Sequence, residues 1–429
     1  MKISRKRTAV LLLTSFTMLA GMHAYFRTVI IPAQEVHAAT HDEPRGNLSD
    51  LYPRWLGTKE FLLQHRNPYS AEVTADIQRG YWGRTLDPNK PNDPKDEMRF
   101  AYPLYVVFLL APTITLQFES VQRLYLFIAI PLCILSVWLW MRTLDKRVSI
   151  VHGAVAAMLF LGSYPVVQAV HLQQLALLIF GLIAVAVAAV DYGMFVTAGV
   201  VLAIAMIKPQ TTIPVAAWFL FWALVGWKDR KKLIISFTAT MIVLCAGASL
   251  LLPGWVGDWR AGASSYVGYT AGVPAHVQVV FGNNAGAVIG LALCAGVAIL
   301  CWKTRNDLAS SDRFRLIPPL ILAVSMAVTP LWHEYDHMFL LPAVLLIFSW
   351  RDEFRRLKPF AGAVLLLCAI VFAWQWVGAL MLTVISIRFR QFAETWQILP
   401  WLPVFFAPSL VLVSLTILCP GLRNAKWLR

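Results

Sequence analysis

Long apolar runs separated by short polar loops dominate the chain, and their length predicts its architecture. A helix needs about 20 mainly apolar residues to cross the hydrocarbon of a bilayer, and twelve runs meet or approach that length. The pattern predicts an all-α polytopic membrane protein in which residues 1–429 form one integral membrane domain. A first outside loop over 32–120 carries interfacial helices, and 121–419 form the remaining bundle. The predicted spans are 8–31, 121–141, 149–167, 172–190, 194–208, 211–227, 233–252, 286–302, 315–331, 338–350, 359–383 and 400–419.

A further apolar run, 100–118, is interrupted by Pro103 and Pro112. If the basic segments before the first span and after the second both face the cytoplasm, an even number of crossings separates them. The two neighbouring spans already supply that number. We therefore expect 100–118 to be an interfacial or re-entrant segment buried against the protein, the alternative being a miscounted weak span.

Composition agrees with a chain that lies mostly in lipid. The 429 residues are 58% hydrophobic and 14% charged, against roughly 25% charged residues in soluble proteins, so an ordinary soluble enzyme is excluded. The net charge of +14 is spread over short clumps between apolar runs, which is typical of membrane topology and gives no reason to expect nucleic acid as a partner. The six cysteines lie inside apolar runs without metal-ligand spacing, so they predict neither a disulfide framework nor a zinc site.

Charge bias between short loops predicts the orientation. The basic loops at 228–232 and 351–356 are expected on the cytoplasmic side, together with both termini. The first run follows four basic residues, and we expect a retained helix there rather than a cleaved signal peptide. These features predict a multi-pass protein of the cytoplasmic (inner) membrane.

Asp50 lies where the first outside loop meets the bilayer. The stretch HAATHDEPRGN (37–47) is predicted to be irregular, and Ser49-Asp50 followed by Pro53 indicates the start of a helix that runs to His65. One interpretation makes Asp50 or Ser49 only a helix cap. Other acids in this loop compete for a functional role, and the last four are expected in a solvated loop: Asp42, Glu43, Asp87, Asp93, Asp96 and Glu97.

Three short turns expected on the same outside face also carry unusual polar groups. They contain His171 and Gln173, Lys208, and the pair Asp336 and His337. Ionisable groups at membrane depth are energetically unfavourable and favour a functional interpretation.

Structural interpretations of these turns stay open. Lys208 could snorkel to the interface, and the second turn, 168–174, could cap helices or join them. His333 and His337 have zinc-ligand spacing at i, i+4, but no third ligand is evident.

Together these groups predict an enzyme that acts on a lipid-linked substrate at the outer membrane boundary. A carboxylate can take a proton from an attacking hydroxyl, and a fixed lysine or histidine can stabilise a departing phosphate. The prediction requires Asp50, His171, Lys208 and His337 to meet in one cavity that opens toward the outer leaflet.

The chain resembles glycosyltransferase family 87, a group of polytopic glycosyltransferases of the C-type fold that includes mycobacterial polyprenyl-phosphate-mannose-dependent mannosyltransferases. The order and spacing of five segments carry the resemblance. They are SDLYPRWLGTKEFLLQHRNPYS (49–70), FAYPLYVVFLLAPTITL (100–116), VHLQQLALLIFGL (170–182), AGVVLAIAMIKPQ (198–210) and TPLWHEYDHMFLLP (329–342).

The resemblance implies inverting transfer of a hexose, with mannose favoured, from a polyprenyl-phosphate-linked donor to a lipid or glycan acceptor. Asp50 would be the general base and Lys208 would contact the donor phosphate. The family's tryptophan, acid and histidine turn falls on Asp336 and His337, which implies acceptor orientation or phosphate stabilisation. Further substrate-binding positions are implied at Tyr69, Tyr102, His171 and Gln173. The family often has Gly-Gln-x-Asn where this chain has Val170-His171-Leu172-Gln173, and Tyr-Pro-Pro where it has Tyr102-Pro103-Leu104.

Two other functions remain open from the residues alone. A polyprenyl-diphosphate-linked glycan ligase or polymerase would use outside arginines, for which Arg388 and Arg390 are available. A lipid or solute transporter would show internal repeats and polar groups at the midplane, and neither is evident. No cofactor is expected; the outside acids could hold a divalent ion, but no ligand set is evident. The expected partners are the lipid-linked donor, the acceptor and membrane lipids.

Overall fold

All regular secondary structure in the computed structural model is helical over the residues that it describes. These are 5–46, 49–144, 148–270, 274–330, 333–350, 357–389 and 398–424, with the side chains of 266–270 and 419–424 left out. The first half contains α1 Arg5–Thr40, α2 Leu51–Gln64, α3 Ala71–Trp82, α4 Val106–Leu110, α5 Phe118–Leu144, α6 Ile150–Leu161, α7 Tyr164–His171, α8 Ala176–Asp191, α9 Phe195–Ala205 and α10 Pro209–Val225. The second half contains α11 Trp227–Leu251, α12 Trp255–Thr270, α13 His276–Phe281, α14 Asn283–Thr304, α15 Asp312–Val328, a 3-10 helix Glu334–Leu340, α16 Leu341–Ser349, α17 Pro359–Arg388, α18 Ile398–Phe405 and α19 Ala407–Asn424.

Six helical stretches among the described residues are long and apolar enough to cross a membrane, so the chain is a multi-pass membrane protein. They are Arg5–Thr40, Phe118–Leu144, Trp227–Leu251, Asn283–Thr304, Pro359–Arg388 and Ile398–Leu418. A seventh is possible if α6 and α7, which meet at 62°, form one broken span; the sequence predicts an unbroken one at 149–167. The predicted number of twelve is not confirmed. The 11-residue α9 rises only about 16 Å, well short of the hydrocarbon thickness.

The first outside loop contains the predicted surface helix and one more. Helix α2 covers Leu51–Gln64 as expected, and Ser70 caps α3 by accepting a hydrogen bond from the Val73 N–H at 3.2 Å. The prediction of irregular chain from residue 37 is wrong in part, because α1 continues to Thr40. The final part of α1, Ile31–Thr40, has Pro32 in its first turn. No proline or glycine follows until Pro44, so nothing in the sequence ends the helix at residue 37.

The proline-interrupted segment at 100–118 contains no long helix. Its longest helix, α4, has five residues and is followed by a 3-10 turn at Ala111–Thr113. The α2 side chain Trp55 donates from Nε1 to the Thr113 carbonyl at 3.2 Å, so α2 packs against this segment. Its helices are too short to cross a bilayer, which agrees with the prediction that 100–118 is not a full span.

The polar groups of the bundle lie at two opposite ends. The segment 228–232, predicted as a basic loop, forms the start of α11. Its Arg230 donates to the carbonyl groups of Arg305 and Asp307, so at one end this basic segment touches the basic segment 303–311. At the same end, Arg315 forms an ion pair with Asp191 at 2.7 Å. Helices α8, α10 and α15 lead from that end to the turns at 168–174, 208 and 333–337. These turns therefore lie at the end opposite the basic segments.

Candidate active site

Asp50 immediately precedes α2 and is fixed by the turn at 168–174. Its backbone N–H donates to the Leu172 carbonyl at 2.9 Å, and the Gln174 amide donates to its carboxylate oxygen Oδ2. The Asp50 side chain receives no capping hydrogen bond from the described first turn of α2. The interpretation of Asp50 as only a helix cap is therefore wrong.

Burial raises the pKa of the Asp50 carboxyl to about 6. The positive charge of Arg54 opposes this rise, Asp96 adds to it, and Lys208 opposes it more weakly. A carboxylate with this pKa is mostly ionised at neutral pH, yet it is a stronger base than an ordinary aspartate. Such a group is suited to accept a proton during catalysis.

The Asp50 side chain lines a cavity of about 210 Å³. Its walls come from the start of α2, the segment 96–101, the turn at 168–174, helix α12 and the turn at 333–335. Polar side chains dominate these walls. They include Asp50, Arg54, Asp96, Arg99, Gln168 and His333.

Lys208 lies beside this cavity, and it is 4% exposed. Its Nζ contacts Asp336 Oδ1 at 2.5 Å and lies 5.1 Å from the centre of the Tyr335 ring. Tyr335 itself lines the cavity. The lysine therefore does not snorkel to the interface; it forms a buried ion pair directly behind the cavity wall, close enough to Asp50 to affect its pKa.

His337 and Asp336 lie on the 3-10 helix that follows the cavity wall. The His337 ring nitrogen Nδ1 is 2.8 Å from the Val404 carbonyl on α18, and burial lowers the pKa of His337 to about 4. The imidazole is therefore neutral at pH 7, and it is not part of the cavity wall. Asp336 is turned toward Lys208.

His171 and Gln173 do not face Asp50, contrary to the expected convergence. The His171 ring lies 6.2 Å from the ring of Phe26 on α1. Gln173, at a φ of 47°, donates to the Val170 and His171 carbonyls and accepts from the Gln122 amide. This left-handed residue reverses the chain, so Gln174 reaches Asp50 instead. Of the four groups predicted to meet in one cavity, Asp50 lines it and Lys208 lies behind its wall, whereas His171 and His337 face other helices.

Tyr69 and Tyr102 lie next to residues of the cavity wall. The Tyr69 hydroxyl donates to the Tyr102 carbonyl at 2.7 Å, and the Tyr102 ring lies 4.7 Å from the Arg54 guanidinium carbon. Neither tyrosine belongs to the cavity wall. Their predicted contact with substrate stays a prediction.

Asp96 and Glu97 lie in a loop, as predicted, and both also line the cavity. Asp96 accepts from the Met98 N–H at 2.9 Å, and Glu97 contacts Arg99. The available signal was the alternation of charged residues with Met98 and Phe100, because both apolar side chains are buried. Sequence reasoning also missed Arg54 and Gln168, which carry no motif.

Within the described residues, no three His, Cys, Asp or Glu side chains converge closely enough to hold a metal ion. The His333 ring stacks on Tyr335 at 5.0 Å, and His337 is held by Val404, so the zinc interpretation gains no support. The preceding Leu331 and Trp332 lie outside the described residues. The expectation that the protein needs no cofactor stays a prediction.

The structure describes one of the two arginines of the alternative ligase interpretation. Arg388 ends α17 with an exposed side chain, and it does not line the cavity. Arg390 lies outside the described residues.

A sequence model of glycosyltransferase family 87 matches residues 100–371, which is more than half of the chain. The matched range includes Tyr102, Lys208 and Asp336 but begins after Asp50. Comparisons with curated protein sequences and with solved structures gave no significant match.

Proposed function

The chain belongs to glycosyltransferase family 87 and is a membrane glycosyltransferase, and from this premise we propose its donor, base and orientation. The donor is a polyprenyl-phosphate-linked hexose, with mannose favoured, and the acceptor is a lipid or a glycan. The single observation that carries the proposal is Asp50, a carboxylate with a pKa of about 6 that lines a polar cavity.

In the proposed reaction, the Asp50 carboxylate takes the proton of an acceptor hydroxyl. The hydroxyl oxygen attacks the anomeric carbon and forms the new glycosidic bond. The bond between that carbon and the phosphate oxygen breaks, and its electron pair leaves with polyprenyl phosphate. Attack opposite the leaving group inverts the configuration at the anomeric carbon. The hydrogen bond from Gln174 orients the carboxylate.

The cavity size supports a lipid-linked donor. At about 210 Å³ it is smaller than the roughly 300–1,000 Å³ typical of sites that enclose drug-sized ligands. A sugar phosphate headgroup is a suitable occupant, while a long prenyl chain needs the surrounding lipid. The exposed apolar side chains on the membrane helices, such as Leu250 and Ile387, are compatible with such an environment.

The proposed orientation places the cavity at the outer face of the cytoplasmic membrane and both termini in the cytoplasm. The support is the separation of charges: the basic segments 228–232 and 303–311 touch at the end opposite the cavity, and basic segments beside the spans favour the cytoplasm. The basic loop at 351–356 lies outside the described residues. We expect no cofactor and no nucleic acid partner.

The test is transfer by purified protein in lipid vesicles supplied with polyprenyl-phosphate sugars. Wild-type protein should form a new glycoside, and Asp50→Asn should reduce turnover by at least about 100-fold, since general-base catalysis contributes 10²–10⁴. The matched control is Asp76→Asn, because Asp76 lies on α3, pairs with Arg66 and is outside the cavity. Near-normal transfer by Asp50→Asn would remove this carboxylate from the reaction, and transfer only from diphosphate-linked glycans would favour a ligase.

A further inference from the structure

Arg54 presents an unused hydrogen-bond donor at the cavity. Its Nη1 donates to the Asp50 carbonyl at 2.6 Å, one turn back along α2. Its Nε is buried and has no hydrogen-bond partner among the described residues. A buried donor without a partner is energetically unfavourable, so this nitrogen is suited to donate to a ligand.

The guanidinium group is also held in one orientation. Its central carbon lies 4.7 Å from the centre of the Tyr102 ring, which restrains the plane of the group. Arg54 lies in the first turn of α2, where a cation is disfavoured by the helix dipole. An arginine at this position, held in one orientation, does not stabilise the helix, so its placement needs another explanation.

The other cations at this site are already neutralised by carboxylates. Arg99 contacts Glu97, and Lys208 contacts Asp336. Arg54 forms no ion pair with a carboxylate of the described residues, although the charges of Asp50 and Asp96 act on it. Arg54 is therefore the cation at this site that an incoming anion can pair with without displacing a carboxylate.

An acceptor elsewhere in the cavity lining complements this cation. The Gln168 side-chain oxygen Oε1 is buried without a hydrogen-bond partner among the described residues, and Gln168 lines the same cavity. A glycosyl phosphate has both matching groups, because its phosphate accepts from a guanidinium and its sugar hydroxyls donate to an amide oxygen.

We propose that Arg54, and not Lys208, binds the phosphate of the lipid-linked donor, with Gln168 accepting from a hydroxyl of its sugar. This inference rests on the proposed function and names the residues of its donor site. Lys208 instead positions Tyr335 in the cavity wall through its ion pair with Asp336.

The experiment measures binding of two sugar-free probes to the full-length protein in nanodiscs: polyprenyl phosphate and the neutral polyprenol. Arg54→Gln should weaken binding of polyprenyl phosphate by roughly 10- to 100-fold, the loss expected for a charge-assisted hydrogen bond, and leave polyprenol binding unchanged. Arg54→Lys should lie between, because an ammonium group keeps the charge without the planar pair of donors. The control Lys59→Gln removes a charge from the same helix outside the cavity and should match wild type.

The comparison between probes separates binding from folding. If Arg54→Gln binds polyprenyl phosphate within about twofold of wild type, or if both probes lose affinity equally, the inference is overturned. If Arg54→Gln does not fold, the same comparison with Arg54→Lys decides. Wild-type protein that lacks preference for polyprenyl phosphate over polyprenol also overturns it.

Sugar transfer, measured separately, distinguishes the two proposals. Transfer by wild type together with unchanged phosphate binding by Arg54→Gln defeats only the donor-site inference. Phosphate-selective binding that depends on Arg54, without any sugar transfer, defeats the proposed function and leaves the anion site standing.

Discussion

Gln174 and Asp50 are 124 positions apart in the chain, and the amide of Gln174 donates its hydrogen bond to the carboxylate of Asp50. This contact joins the interfacial helix α2 to the turn that precedes α8. Gln174 is buried, and its own backbone carbonyl accepts from the Tyr125 hydroxyl at 2.5 Å. Gln174, which orients the proposed base, is therefore itself fixed through both its side chain and its backbone.

The pH dependence of transfer should report the Asp50 carboxyl. With a pKa of about 6, Asp50 must be ionised to act as a base, so kcat/KM should fall tenfold per pH unit below about 6 and level off above it. The measurement is initial transfer rate at low donor concentration from pH 4.5 to 8. A flat profile through pH 6 would contradict the assignment.

Gln174→Ala should move the fall of kcat/KM on the acid side to higher pH. The amide stabilises the ionised carboxylate, and its loss raises the pKa of Asp50 further. We expect a shift of about one unit, since a hydrogen bond to a charged group contributes roughly 1.5–3 kcal/mol and part is regained from water. Gln117→Ala, which removes an exposed amide just before α5, is the control. An unshifted profile in Gln174→Ala would show that the contact does not tune Asp50.

Asp50→Asn should stabilise the protein at neutral pH while it removes turnover. The folded pKa of about 6 lies above the ordinary aspartate value of 3.8, so the folded state binds the proton more tightly, and the wild-type free energy of unfolding falls as pH rises between these values. Asparagine removes this dependence and should raise stability at pH 7.5 by about 1–3 kcal/mol. Thermal unfolding of both proteins at pH 4 and pH 7.5 tests it. An equal difference at both pH values would contradict this linkage.

Substituting one member of the Lys208–Asp336 pair should lower the free energy of unfolding more than substituting both members. Lys208→Met or Asp336→Asn leaves one buried charge without its partner, which destabilises by about 3–5 kcal/mol. The double variant removes both charges and should recover at least half of that loss. Thermal unfolding of the four proteins gives the coupling. Additive losses would show that the pair is not coupled.

The corresponding control for this cycle is the Asp191–Arg315 pair at the basic end, which is equally buried. Asp191→Asn should also destabilise the protein, but it should leave the donor KM of the surviving folded fraction unchanged. Loss of Lys208 should raise that KM, because Tyr335 loses its support in the cavity wall.

The proposed orientation can be tested with single cysteines in a cysteine-free background. Lys90→Cys in the first outside loop should react with a membrane-impermeant thiol reagent added to intact cells. Lys231→Cys in the basic segment 228–232 should react only after the membrane is permeabilised. The reverse pattern would place the cavity on the cytoplasmic side.

Sequence patterns located the site mainly where one residue is unusual in its surroundings. Lys208 is a single cation in a long apolar stretch, and Asp50 marks a helix start at the membrane boundary. Both could be identified without coordinates. The Tyr102-Pro103 segment was recognisable for the same reason, because prolines interrupt an apolar run.

The sequence could not show which side chain of a turn faces the cavity. At 168–174, a single residue with positive φ, Gln173, decides that Gln174 points to Asp50 and that His171 points to Phe26. Arg54 was invisible for another reason: its role depends on which carboxylates are already paired. The predicted number of spans stays unconfirmed, because short helices such as α9 are apolar but do not have the length to cross a bilayer.

The 62° bend between α6 and α7 has a consequence for the acidity of Asp50. Gly162 at this bend packs against the backbone of Leu19, where an added Cβ would lie 2.5 Å from the Leu19 Cα. The bend directs α7 sideways, so that the Leu172 carbonyl and the Gln174 amide arrive beside Asp50. A bulkier residue at position 162 would force these helices apart and carry both hydrogen-bond partners away. The angle between α6 and α7 thus helps to place both hydrogen-bond partners of an aspartate that belongs to neither helix.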